Sequence, residues 1–135
     1  MTAAEVGTTV THRRYVPYSD AHYAGNLVDG AYSMKLFGDV ATEMCIVTDG
    51  DEGLFASYAD VQFREPVRAG DVLEIVCTLT RVGTRSRTLD LVVRVVGRGE
   101  PSDERPGAAR MLDAPLVATT ATGTVVVPPQ TRDTP

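Results

Sequence analysis

Four stretches beyond residue 50 carry apolar residues at alternate positions: 54–63, 71–82, 87–96 and 114–127. A strand turns successive side chains to opposite faces, so alternation of period two marks a sheet with one buried face. The second stretch puts Leu73, Ile75, Cys77 and Leu79 on one face, and the third does the same with Leu89, Leu91, Val93 and Val95. Between these two, "VGTRS" reads as a hairpin turn. Residues 10–16, "VTHRRYV", predict a further short strand, broken by Pro17 and the Ser19-Asp20 pair.

The first half changes period. From about residue 26 to 46 the chain runs through helix formers without proline, and it stops where "TDGDEG" supplies acidic turn residues and glycines. Asp20 and Asn26 are the candidate caps. At about 100° per residue, Leu27, Ala31, Met34, Phe37, Gly38, Ala41, Met44 and Cys45 form a broad apolar arc. Lys35, Asp39 and Glu43, spaced by four, form a polar stripe on the other side with Tyr32 nearby. Such a stripe either faces water, with Lys35 and Asp39 as an i,i+4 pair, or faces a polar site. One long helix followed by antiparallel strands has a simple packing solution, a sheet curled around the helix, and the expected class is α+β.

Length and charge narrow the possibilities. At 135 residues the chain builds one core, expected over 10–127, with a flexible N-terminus over 1–9 and a disordered tail over 128–135. The Gly-, Pro- and charge-rich segment 97–113 predicts a mobile excursion between two paired strands. No apolar run approaches the roughly 20 residues of a membrane span. The first residues lack the basic start and apolar stretch of a secretory signal, so the expected location is cytoplasmic. A net charge of -5 argues against general nucleic-acid binding. The two cysteines, Cys45 and Cys77, sit within apolar patterns and are expected as buried free thiols. No metal-ligand cluster, phosphate-cradling loop or dinucleotide fingerprint is present, so neither a metal nor a redox cofactor is expected.

The run "DAHYAGNLVDGA…LFGDVATEMC", followed by "DGDEGLFASY" and "PVRAGD", resembles the 3-aminobutyryl-CoA ammonia-lyase group of hotdog-fold enzymes over roughly residues 15–96. It is also similar to dual-function thioesterases that add glycine to an α,β-unsaturated acyl thioester and then hydrolyse the product. The resemblance implies a hotdog fold of about five strands wrapped on the helix. It further implies a homodimer, or a higher homo-oligomer, whose sheets join edge to edge, with acyl-thioester sites at the interface. The polar stripe would then contribute to a site shared with the partner subunit. One position departs from the family, which reads Gly-Gly where this chain has Ala24-Gly25.

The implied reaction is reversible amine addition at the β-carbon of an unsaturated acyl-CoA or acyl-carrier-protein thioester, with ammonia or glycine as the amine. The alternatives are thioester hydrolysis, alone or after addition, and a non-catalytic acyl-binding module. Addition puts negative charge on the thioester oxygen, so donors must point at it. Gly25 and Asn26, at the expected helix start, are the candidates. A carboxylate or imidazole must move the protons, and Asp39, then His22, are the candidates; Tyr58 is read as a donor to the polar end of the substrate and Glu43 as a counter-ion for the amine or a solvated residue. Asp20 and Asp29 are read as supports of the loop. Arg81, Arg85 and Arg87 give one hairpin a basic tip suited to the phosphates of coenzyme A or to an acidic carrier protein.

Overall fold

The computed structural model describes residues 4–129. Strand β1 (Thr9–Tyr15) leads through two short 3-10 turns to helix α1 (Gly30–Asp49), which is followed by β2 (Leu54–Phe63), β3 (Val72–Val82), β4 (Ser86–Gly99) and β5 (Ala109–Val126). All strands belong to one antiparallel five-stranded sheet of order β1-β3-β4-β5-β2. One face of this curved sheet holds the helix, which is the hotdog arrangement.

The alternating residues of β3 and β4 meet one another across the sheet: Leu73 faces Val95, Ile75 faces Val93, Cys77 faces Leu91 and Leu79 faces Leu89. All eight are buried, and they pack with Phe37, Val40, Ala41 and Met44 of the helix. Burying each large aliphatic side chain contributes about 1.5–3 kcal/mol, so this ladder is the main reason the sheet and helix stay together. The buried helix stripe runs Ser33, Leu36, Phe37, Val40, Ala41, Met44, Cys45 and Thr48. Ala31, expected within the apolar arc, is exposed, and Leu36 and Val40 take part instead.

Several boundaries differ from the expectation. The helix begins at Gly30, because the turn before it contains Gly25 (φ +76°) and Asn26 (φ +59°), left-handed conformations that cannot continue a right-handed helix. Its cap is Asp29, in an extended conformation, and neither Asp20 nor Asn26 fills that place. Residues 97–99 pair with 109–111, so only 100–108 connect β4 to β5. At the N-terminus Gly7 donates to the Leu79 carbonyl at 2.8 Å, extending the pairing of β1 into the segment expected to be flexible. Residues 130–135 of the expected tail lie outside the described residues.

Two buried ion pairs fasten the ends of this fold. Asp71 of "PVRAGD" is fully buried and accepts from Arg98 through both oxygens, at 2.9 and 3.0 Å, and from the Arg68 amide. Arg87 of β4 grips Asp49, in the last turn of α1, at 2.7 and 3.1 Å. Its Nη1 also donates to the carbonyls of Gly83 and Ser86, leaving the side chain only 7% exposed. The carboxylate lies at the negative end of the helix dipole, and the guanidinium offsets the unfavourable interaction there.

Candidate active site

The chain between β1 and α1 is held backbone to backbone. His22 and Tyr23 donate to the Leu27 carbonyl at 2.8 and 2.9 Å, closing a tight turn over Ala24–Asn26. Val28 then donates to Val67, and Ala69 donates to Asn26, so the turn is tied to the segment before β3. Only after these bonds is the chain free to wind into a helix. Gly25 and Asn26 therefore lie on the turn and not at the helix start; the amides of the first helical turn belong to Gly30 and the residues after it.

A cleft of about 460 Å³ opens at that start. Asp29, Gly30 and Ser33 border it from the helix, Phe63 from the end of β2, Glu65 from the segment that follows, and Thr119 from β5. A Cβ on Gly30 would lie 2.8 Å from two carbons of the Phe63 ring, so glycine is what lets the ring cover the first helical turn. Deeper in, the Ser33 and Thr119 hydroxyls are hydrogen-bonded at 3.0 Å. Asp29 makes no side-chain capping bond. Amide donors, two hydroxyls and the carboxylates of Asp29 and Glu65 thus surround a largely apolar space. The amides and hydroxyls, with Arg64 in the same lining, suit a carbonyl group that acquires negative charge, whereas the two carboxylates suit an amine or the movement of a proton.

The other residues singled out in the sequence fall elsewhere. Lys35 and Asp39 form an exposed i,i+4 pair at 4.0 Å, and Glu43 bonds the imidazole of His12 at 2.7 Å. Asp39 lies nine residues beyond Gly30, roughly 13 Å along the helix axis, so it does not border this chain's cleft. Asp20 accepts from the Tyr32 hydroxyl at 2.8 Å and from Arg14 at 3.3 Å, while Arg14 Nε donates to the same hydroxyl at 2.9 Å. Burial raises the Tyr32 pKa, partly opposed by its hydrogen bond from Arg14. The exposed His22 ring packs edge-on against Tyr23, its centroid 4.6 Å away, and does not pair with Asp20.

Tyr58 turns inward. Its hydroxyl donates to the Met34 carbonyl at 3.2 Å, its ring stacks on Phe55, and burial raises its pKa. Register shifts between Phe55 and Ser57 and between Ala59 and Gln62 break the alternation, so Phe55, Tyr58 and Val61 all pack on the core. Strict alternation along 54–63 would put Tyr58 and Val61 on opposite faces; these bulges bring them to the same one. At the basic hairpin, Arg81 and Arg85 are exposed, Arg85 reaching the Val127 carbonyl at 3.5 Å. Arg87 is committed to Asp49 and cannot also serve as a phosphate ligand.

Ser33, Phe63, Glu65 and Thr119 were not anticipated from the sequence. Ser33 carried a weak signal, a hydroxyl three residues from Leu36 and four from Phe37, within the stripe that the helix buries. Both cysteines are free and buried, their thiol pKa values pushed up by burial to about 11 for Cys45 and about 12 for Cys77. Among the described residues no group of three His, Cys, Asp or Glu side chains could hold a metal, and no helix is long and apolar enough to cross a membrane.

With this geometry in hand, comparison with known proteins adds chemistry. The model of the thioesterase superfamily matches residues 25–102. The 3-aminobutyryl-CoA ammonia lyase of Acetoanaerobium sticklandii is 48% identical over 111 residues, covering 81% of this chain and 86% of that protein. The structure of β-alanyl-CoA:ammonia lyase from Clostridium propionicum superposes with a TM-score of 0.85 at 35% identity, covering 91% of this chain and 87% of that one. A hexameric hotdog-fold thioesterase of Campylobacter jejuni matches with a TM-score of 0.69 at 22% identity over 85% of this chain and 79% of its own, a likeness of fold alone.

Proposed function

Since the chain belongs to the thioesterase superfamily and, within it, to the family of the 3-aminobutyryl-CoA ammonia lyase, we propose that it catalyses the reversible elimination of ammonia from a 3-aminoacyl-CoA. The observation that carries this reading is the cleft at the helix start, in a chain 48% identical to a lyase over most of both lengths.

In the addition direction the amine attacks the β-carbon, the carbon-carbon π electrons move toward the carbonyl, and the thioester oxygen becomes an enolate oxygen. Free amides of the first helical turn, from Gly30 and Ala31, are suited to hold that oxygen, and the positive end of the helix dipole favours its charge. The absent side chain at Gly30 leaves room for the Phe63 ring, which forms the apolar wall of the cleft beside these amides. The enolate α-carbon then takes a proton, and the added ammonium loses one. No step requires a metal or a redox cofactor.

The proton carrier is proposed to be Asp39 of a second copy. Strand β2 ends the sheet with one side of its backbone unpaired, and Leu54 and Phe63 on it are exposed. Pairing of β2 with its counterpart would bring the two helices side by side and direct the stripe of one toward the cleft of the other. His22 and Glu43 are the next candidates, although Glu43 is bonded to His12 of β1, at the edge of the sheet opposite β2. Asp29 and Glu65 are the carboxylates that could act within a single chain. Coenzyme A and ammonia are proposed as carrier and amine on the example of the two lyases, in the cytoplasm; carrier-protein thioesters and glycine are the competing substrates.

Incubation with crotonyl-CoA and ammonia tests the reading. Loss of the enoyl absorbance without release of free thiol is the expected result, and an unchanged absorbance overturns it. Thioester hydrolysis is the second reading, favoured by the superfamily match, and thiol release would select it.

A further inference from the structure

Ser33 and Thr119 come from elements 86 positions apart in the chain, and both are 2% exposed. A hydroxyl pair holds two hydrogens, and the 3.0 Å bond between them uses one. Helical serines and threonines commonly return the hydroxyl to the carbonyl four residues back. In this helix Thr42 donates to Gly38 and Thr48 donates to Met44, each at 3.0 Å. Ser33 does not do so, and among the described residues neither it nor Thr119 donates to a further acceptor. One hydroxyl hydrogen is left over at a buried position that borders the cleft.

An apolar pair of similar shape would fill this place without leaving a donor unsatisfied, and such replacements are often neutral or stabilising. The leftover hydrogen therefore finds its acceptor in the cleft: water when the cleft is empty and a substrate oxygen when it is filled. Ser33 lies three residues beyond Gly30, on the same helix face, so the pair and the first-turn amides border one space. Ammonia offers a poor match: a hydrogen bond to its lone pair would block the electrons that attack. A carbonyl oxygen accepts two or more donors without loss of function.

We propose that the Ser33–Thr119 pair donates one hydrogen bond to the thioester oxygen of the bound acyl-CoA, as a side-chain donor beside the helix amides. This rests on the lyase reading of the cleft. The bond strengthens as negative charge grows on the oxygen, so it favours the enolate over the ground state. No proton is transferred; the pair remains a hydroxyl pair throughout.

The test uses the full chain with a butyryl-CoA analogue in which a methylene replaces the thioester sulfur, labelled with carbon-13 at the carbonyl. The infrared carbonyl band of the bound analogue is expected below its frequency in water. Thr119→Val and Ser33→Ala should each move it back toward the water value, and Thr119→Ser should keep it low. Turnover of crotonyl-CoA should fall by about 10²-fold in kcat for Thr119→Val, the scale of losing one oxyanion donor, with KM little changed. The double variant Ser33→Ala/Thr119→Val, which removes both partners together, should melt at or above the parent temperature while losing kcat, and this separates the effect from a folding defect. An identical band and full kcat in both Thr119→Val and Ser33→Ala, in a chain that still performs the addition, overturn the inference alone. Failure of the parent chain to bind the analogue or to add ammonia overturns the proposed function and the inference together.

Discussion

Arg87 and Asp49 show how a single residue can change its meaning on folding. As one of three arginines near a hairpin, Arg87 resembles a phosphate ligand; folded, it is a buried counter-ion at a helix end. Removing one member of such a pair leaves an uncompensated charge, so Arg87→Met should lower stability by about 3–5 kcal/mol, read by denaturant unfolding. Burial alone would raise the pKa of Asp49, but the hydrogen bonds from Arg87 and Thr48 outweigh it and hold the carboxyl below the ordinary 3.8. A carboxylate with a lowered folded pKa contributes stability above its unfolded pKa and loses it as pH falls through the folded one. The melting-temperature gap between the parent and Asp49→Asn should therefore be wide at neutral pH and close as the medium becomes more acid than pH 3.8. Asp39 is the opposite case. Its exposed pair with Lys35 is worth little, so Asp39→Asn should leave melting almost unchanged while lowering the lyase rate by about 10²- to 10⁴-fold. A full rate in Asp39→Asn with a loss in Glu65→Gln would move proton transfer into the single chain.

Among the elements, β2 departs furthest from a regular pattern. Its two bulges turn Phe55, Tyr58 and Val61 to one side and commit the Tyr58 hydroxyl to the helix backbone. Tyr58→Phe should consequently cost about 0.5–1.5 kcal/mol, the worth of one ordinary hydrogen bond, and leave the rate of ammonia addition within about twofold. A large loss of rate would return Tyr58 to the reacting groups. The helix and β3 make a second prediction about access. Cys45 and Cys77 are buried with pKa values pushed up to about 11 and about 12, so almost no thiolate is present near neutrality. A thiol reagent such as dithionitrobenzoate should find no rapidly reacting cysteine in the native chain and two after unfolding.

For the whole molecule, the proposed sharing of sites predicts assembly. Light scattering should give at least twice 14.5 kDa, with a mass near 14.5 kDa and full activity ruling the arrangement out. A stronger check is complementation. Gly30→Val should close the cleft, since even a Cβ there meets Phe63, and Asp39→Asn should remove the proton carrier. Each variant alone should be nearly inactive. A mixed dimer should regain one working site, because one cleft then receives both intact parts. No recovery on mixing would mean that Asp39 and Gly30 do not come together from different subunits.

The sheet and the helix could be read from the chain because burial repeats with the period of each element. Leu73 to Leu79 and Leu89 to Val95 declare their shared face by alternation alone, and the family runs around "DAHYAGN" and "PVRAGD" carried the fold's name. The apolar arc of α1 was legible for Phe37, Ala41, Met44 and Cys45 for the same reason. The site was not, since its parts depend on bonds between distant segments. Where the helix starts is decided by the turn at Gly25 and Asn26 and by its ties to residues 67–69, so the amides expected at 25–26 belong to the first turn beginning at Gly30. The direction of Tyr58 is decided by bulges, which add residues to a strand without marking its composition. Ser33 meets Thr119 only because the sheet curves around the helix, bringing together two hydroxyls that no local period relates.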